Sequence, residues 1–170
     1  MLTIPDKMQK VLEDKERIQW FASKYANAHD VFLVGRGIDY AVCLEGSLKL
    51  KEISYIHSES YPAGELKHGS IALIENGVTV VGVMTDKDLV KKTVSNIQEV
   101  ITRGAKTLVV SNQDIDKSMF DVVIDIPETN CFVSPILAIV PLQLLAYHIS
   151  KEKGLDVDKP RNLAKSVTVE

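Results

Sequence analysis

Lys49 and Glu52 stand three residues apart in a stretch that reads as helix, which puts an ammonium and a carboxylate on one face. A carboxylate held ionised beside a cation can take a proton and return it, the work of a general base. By residue type alone the pair is equally an ordinary surface ion pair. His68 precedes Gly69 in a turn that passes from polar to apolar, where an imidazole can act as acid or base or simply shape the turn. Gly35-Arg36-Gly37 lies between a strand-like and a helix-like run and can let backbone approach an anion. A dinucleotide fingerprint would need a third glycine where the chain has Tyr40, and no GxxxxGKS or GxxxxGKT occurs, so a tight strand-to-helix turn is the plainer reading.

The elements that must hold these residues follow from patterning. The chain has 170 residues, 45% apolar and 25% charged, with a formal charge of -3. That is the balance of a globular domain, and it argues against disorder, a disulfide scaffold or a basic nucleic-acid binder. Cys43 and Cys131 form no CxxC and no ligand cluster, which points to structural thiols in a reducing interior. The amino-terminal residues turn polar by Pro5-Asp6, so no secretory segment is expected. The most apolar stretch, Ile136 to Ile149, is shorter than the about 20 residues a bilayer needs and reads as a buried helix. No membrane and no nucleic-acid partner is expected.

Residues 6 to 28 carry apolar positions at helical spacing with a gap near Asp14 to Glu16, which predicts one or two amphipathic helices. Strands are predicted at Asp30–Gly35, His57–Tyr61, Val78–Met84, Lys106–Ser111 and Val122–Ile126. Between them lie helices from an Asp39 cap to about Ile53, from Asp86 to Arg103 and, with Ser134 as cap and Pro135 behind it, from Ser134 to about Lys153, kinked near Pro141 and stopped by Gly154. Alternating strands and helices require right-handed crossovers, hence an α/β fold: a three-layer, doubly wound, five-stranded parallel sheet of flavodoxin-like type. Sites in such sheets sit at the carboxyl ends of the strands, so the site is expected there.

Four segments together carry a resemblance: LEGSLKLKEISYIH at 44–57, AGELKHG at 63–69, VPLQLLAYH at 140–148 and DKPRNLAKSVTVE at 158–170. They closely resemble the C-terminal part of the glutamine:fructose-6-phosphate aminotransferase family. The resemblance implies that residues 29–154 are the second of two sugar-isomerase (SIS) domains, preceded by a helical segment at 1–28 and followed by a catalytic tail at 155–170. A glutaminase domain and a first SIS domain would precede Met1. The family converts fructose 6-phosphate and glutamine-derived ammonia into glucosamine 6-phosphate, without metal or organic cofactor.

By the same resemblance Glu52 is the carboxylate that moves a proton between C1 and C2, Lys49 is its cation and His68 opens the sugar ring. Lys165 forms a Schiff base with the ketose, and Ala164 touches the substrate. His68 would reach the site of a neighbouring subunit, which implies a homodimer, and the setting would be cytoplasmic. Ser70 stands where the family usually has proline after His-Gly, which puts the set of His68 in question. The Ser/Thr-rich phosphate loops of the first SIS domain have no counterpart here, since Gly35–Asp39 and Met84–Asp88 bring carboxylates to the strand ends. The chain alone is therefore expected to fold and to supply catalytic groups, not the phosphate cradle. Two other readings stay open: a non-catalytic SIS sugar-phosphate-binding module, and a standalone sugar-phosphate isomerase.

Overall fold

The computed structural model describes residues 3–163. The chain opens with two helices, α1 (Ile4–Glu13) and α2 (Lys15–Tyr25), separated at Asp14, where the apolar spacing lapses. Then follow β1 (Asp30–Gly35), α3 (Ile38–Lys49), a π turn (Leu50–Ser54), β2 (His57–Pro62) and two 3-10 turns (Leu66–His68 and Ser70–Leu73). β3 (Thr79–Met84), α4 (Val90–Ile101), β4 (Lys106–Ser111), a 3-10 turn (Lys117–Met119), β5 (Val122–Asp125) and α5 (Ser134–Glu152) complete the order.

All five strands pair parallel in the order β2-β1-β3-β4-β5, the doubly wound arrangement expected from the alternation. Side chains along each strand alternate between the two faces, and both faces are buried. Val31, Leu33, Val81, Val83, Leu108 and Val110 join one apolar cluster with residues of α1, α2, α3 and α5. Phe32, Val34, Val80, Met84 and Val109 join the other with Ile97 and Val100 of α4. Each fully buried leucine such as Leu33 or Leu108 contributes about 2 to 3 kcal/mol. Among the described residues no helix is long and apolar enough to cross a membrane.

Three local expectations are corrected. Asp39 does not cap its own helix: α3 starts after Gly37 (φ +56), and the Asp39 carboxylate instead accepts from the loop after β3. α4 starts at Val90, later than Asp86, because Asp86 ties the preceding turn by accepting the Asp88 N–H. Ser134 is the first helical residue of α5, its hydroxyl donating to the Asn130 carbonyl at 3.3 Å. The expected stop holds: Gly154 (φ +68) donates to Lys151 and Leu155 donates to Ser150, the pair of bonds that closes a helix through a left-handed residue. Cys43 is buried, and burial pushes its thiol up so that it stays protonated; Cys131 is exposed, contrary to the structural role expected of both.

Candidate functional site

Lys49 is the last residue of α3, and Glu52 lies in the π turn that prolongs it. The Lys49 Nζ approaches Glu52 Oε2 at 2.5 Å and Glu45 Oε1 at 3.5 Å. The pair expected from spacing is therefore formed, with Glu45 as a third member. Glu45 was not singled out, although its position four residues before Lys49 is the helical signal for such a contact. The hydrogen bond from Lys49 to Glu52, aided by both carboxylates, holds the ammonium above its usual range against partial burial. The cluster is half-buried, so Lys49 is a fixed cation and Glu52 keeps unused lone pairs.

The π turn is secured from α5. Ser150 Oγ shares its proton between the Ile53 carbonyl at 2.8 Å and the Ala146 carbonyl at 2.7 Å, Lys153 Nζ donates to the Ser54 carbonyl at 2.7 Å, and Ser54 Oγ to the Leu50 carbonyl at 2.6 Å. The bonds to Ile53, Ser54 and Leu50 satisfy carbonyls that a widened turn leaves without helical partners. Burial, with the charge of Arg161 added, pulls the Lys153 ammonium below its ordinary value. Glu52 opens on a hollow of about 400 Å³ lined also by Tyr55, His57 and the tail residues Arg161, Asn162 and Leu163. Lys165 and Ala164 lie outside the described residues.

This hollow is at the amino end of the sheet, opposite the carboxyl edge where the site was expected. α3 leaves β1 at its carboxyl end and runs back beside the sheet, so its last turn arrives where β2 begins. His68 is exposed beyond the other end of β2. Six residues of strand, about 16 Å, run between Glu52 and His68, so the chain does not bring the two together within itself. Ser70 is the first residue of its 3-10 turn, a position that proline also tolerates, so the departure there leaves the turn intact.

At the carboxyl end Asp39 is buried and accepts the Thr85 N–H at 2.8 Å, the Thr85 hydroxyl at 2.6 Å and the Asp86 N–H at 3.4 Å. Burial raises its pKa while the Thr85 bonds oppose the rise. The donors with which a strand-end loop would grip phosphate are thus consumed by an internal carboxylate. Asp86, Asp88 and Glu128 line the neighbouring hollow of about 340 Å³ with Lys87 as the one cation among the described residues there, a balance that disfavours an anion. Gly35-Arg36-Gly37 makes the tight turn: a Cβ at Gly35 would fall 2.7 Å from the Asp39 carbonyl carbon, and Arg36 donates to Asn96 Oδ1 at 2.8 Å. Among the described residues no group of three or more His, Cys, Asp or Glu could hold a metal ion.

With this geometry in view, the profile of the SIS domain family matches residues 24–150. A glutamine–fructose-6-phosphate aminotransferase (isomerizing) of Clostridium perfringens is 54% identical over 100% of this chain and 28% of its own length. The enzyme of that name from Clostridium tetani is 57% identical with the same coverage. The chain thus spans 28% of the length of these relatives. Among solved structures, the C-terminal domain of glucosamine-fructose-6-phosphate aminotransferase from Francisella tularensis superposes with a TM-score of 0.82 at 37% identity, over 89% of this chain and 43% of that one. A glucosamine-6-phosphate deaminase from Thermotoga maritima gives 0.71 at 26% identity, over 97% of this chain and 47% of that one.

Proposed function

The chain belongs to the SIS domain family, and from that premise we propose that it works as the C-terminal sugar-isomerase half of an isomerizing glutamine:fructose-6-phosphate aminotransferase. The observation that carries this is Glu52, held by Lys49 at 2.5 Å and lining a hollow that the tail also lines up to Leu163. Lys165 is two residues further on, and two peptide steps span no more than about 7 Å.

The chemistry assigns each group a task. Lys165 condenses with the C2 carbonyl of fructose 6-phosphate and releases water, and ammonia then replaces it on C2. Glu52 takes a proton from C1 and returns it at C2, leaving the aldehyde at C1 and nitrogen at C2. Lys49 is the fixed cation beside Glu52, and Ala164 contacts the sugar. His68 opens the ring from a second subunit, a reading supported by its place at the far end of β2. The phosphate is held by a preceding SIS half and ammonia comes from a glutaminase domain. Exposed Ile38, Leu44, Leu48, Phe132 and Ile136 on and beside α3 and α5 support burial of that face by further protein. A cytoplasmic setting fits this metabolism and the free thiols.

In the longer polypeptide that contains this chain, Glu52→Gln is expected to leave glutamine hydrolysis intact and to lower glucosamine 6-phosphate formation about 10²- to 10⁴-fold. Normal synthase turnover in that variant would overturn the reading.

A further inference from the structure

Tyr55 closes the π turn with a left-handed backbone (φ +56), an uncommon conformation for a residue with a side chain. The tail meets it there in two ways. The Arg161 backbone N–H donates to Tyr55 Oη at 2.8 Å, and the Arg161 guanidinium lies 4.1 Å from the centroid of the Tyr55 ring. Cation and aromatic face attract, and the planar guanidinium stacks where an ammonium would only sit. Beyond α5 the described tail has no helix or strand to direct it. Its path is set by the Asp156 turn, whose carboxylate accepts from the Asp158 and Lys159 N–H groups, and then by the contact with Tyr55. Two residues after Arg161, Leu163 lines the same hollow as Glu52.

We propose that Tyr55 and Arg161 are positioning residues that aim the tail at Glu52 and thereby deliver Lys165 to the sugar; the inference rests on the reading of Lys165 given above. The π turn then has a double task. It carries Glu52, and through Tyr55 it holds the tail at Arg161 beside the same hollow, so one turn serves both groups. Tyr55 and Arg161 line the same hollow as Glu52, and in this scheme they act on the tail rather than on the reacting atoms.

The test is borohydride trapping of fructose 6-phosphate on the longer polypeptide, with peptide mapping of the label, kcat and KM, and the melting temperature as a control for folding. Arg161→Ala changes an exposed side chain, and Tyr55→Asn suits the left-handed backbone, so both variants should fold. Each is expected to lower the fraction trapped at Lys165 and the synthase kcat about tenfold or more, with glutaminase activity kept and KM for fructose 6-phosphate changed about twofold or less. Tyr55→Phe, which loses only the Oη acceptor, and Arg161→Lys, which keeps only the charge, should fall between. Trapping and kcat within about twofold of wild type in both Arg161→Ala and Tyr55→Asn would overturn the anchor while Lys165→Ala, losing label and turnover, upholds the reading beneath it. Retention of label and turnover by Lys165→Ala would overturn that reading and the anchor with it.

Discussion

At the amino end of the sheet, Glu45, Lys49 and Glu52 stand half-buried and half-exposed on a helix end and its π turn; at the carboxyl end, Asp39 is buried and spent on the amides and hydroxyl of the Thr85–Asp86 loop. Both ends use carboxylates, and the difference lies in what remains free. Asp39 has three donors from its own chain and no access to solvent, so it holds a loop and can do no chemistry on a ligand. Glu52 has one close partner, an adjoining hollow and lone pairs to spare. A charged residue becomes a reagent when the fold leaves part of its hydrogen-bonding capacity unmet, and becomes structure when the fold meets all of it.

That contrast can be tested hardest through His68, which sits at the carboxyl end yet is assigned to the chemistry. In the longer polypeptide His68→Ala should lower synthase turnover about 10²-fold or more. Mixed in equal amounts with Glu52→Gln subunits it should recover about a quarter of the wild-type rate, because half of the dimers would be mixed and each would hold one intact site. No recovery would mean that both groups act within one subunit, and the separation of the two ends would lose its functional meaning.

Asp39→Asn probes the structural end. It keeps the shape and removes the charge that three donors address, which should cost about 2 kcal/mol and lower Tm by about 4 to 8 °C in a chain of this size. Turnover of the folded variant should stay within a few-fold of wild type. A large loss of activity without loss of stability, in paired melting and rate measurements, would break the assignment of Asp39 to structure.

The smallest expected effect concerns His148 on α5, whose Nε2 is buried without a partner. Burial, aided by the charge of Lys15 and opposed by Glu152, pulls its pKa below the ordinary histidine value. The unfolded chain then binds the proton more readily, so the stability that His148 contributes is complete above about pH 6.5 and declines as pH falls below it. Tm should be slightly lower at about pH 5.5 than at about pH 7.5, and His148→Gln should flatten part of that difference. An unchanged pH profile in the variant would remove His148 from the account.

Much of this was legible in the chain. The short apolar runs at Val31–Val34 and Leu108–Val110, rich in valine and bounded by polar residues or glycine, read as strands buried on both faces, and their alternation with helices leaves a parallel sheet as the ready solution. Gly154 after an apolar helical run signals the helix end that the structure shows. The placement of the Lys49–Glu52 pair was also within reach. A helix that starts at the carboxyl end of β1 and rises about 18 Å over its 12 residues must end near the amino end of β2, although the general rule for such sheets pointed the other way.

What the sequence by itself determined is local: which residues are strand or helix, which pairs share a turn, and which carboxylate stands beside a cation. These follow from backbone periodicity and contacts within a few residues. Only the tertiary structure decided that Asp39 reaches Thr85, 46 residues away, and so leaves its own helix uncapped. It alone set the Arg161 backbone on the Tyr55 hydroxyl, 106 residues away, and the Ser150 hydroxyl on the Ile53 carbonyl, 97 away. The reason is physical: such partners are chosen by how α5 and α3 pack on the sheet, and packing depends on the shapes of many side chains at once rather than on any spacing along the chain.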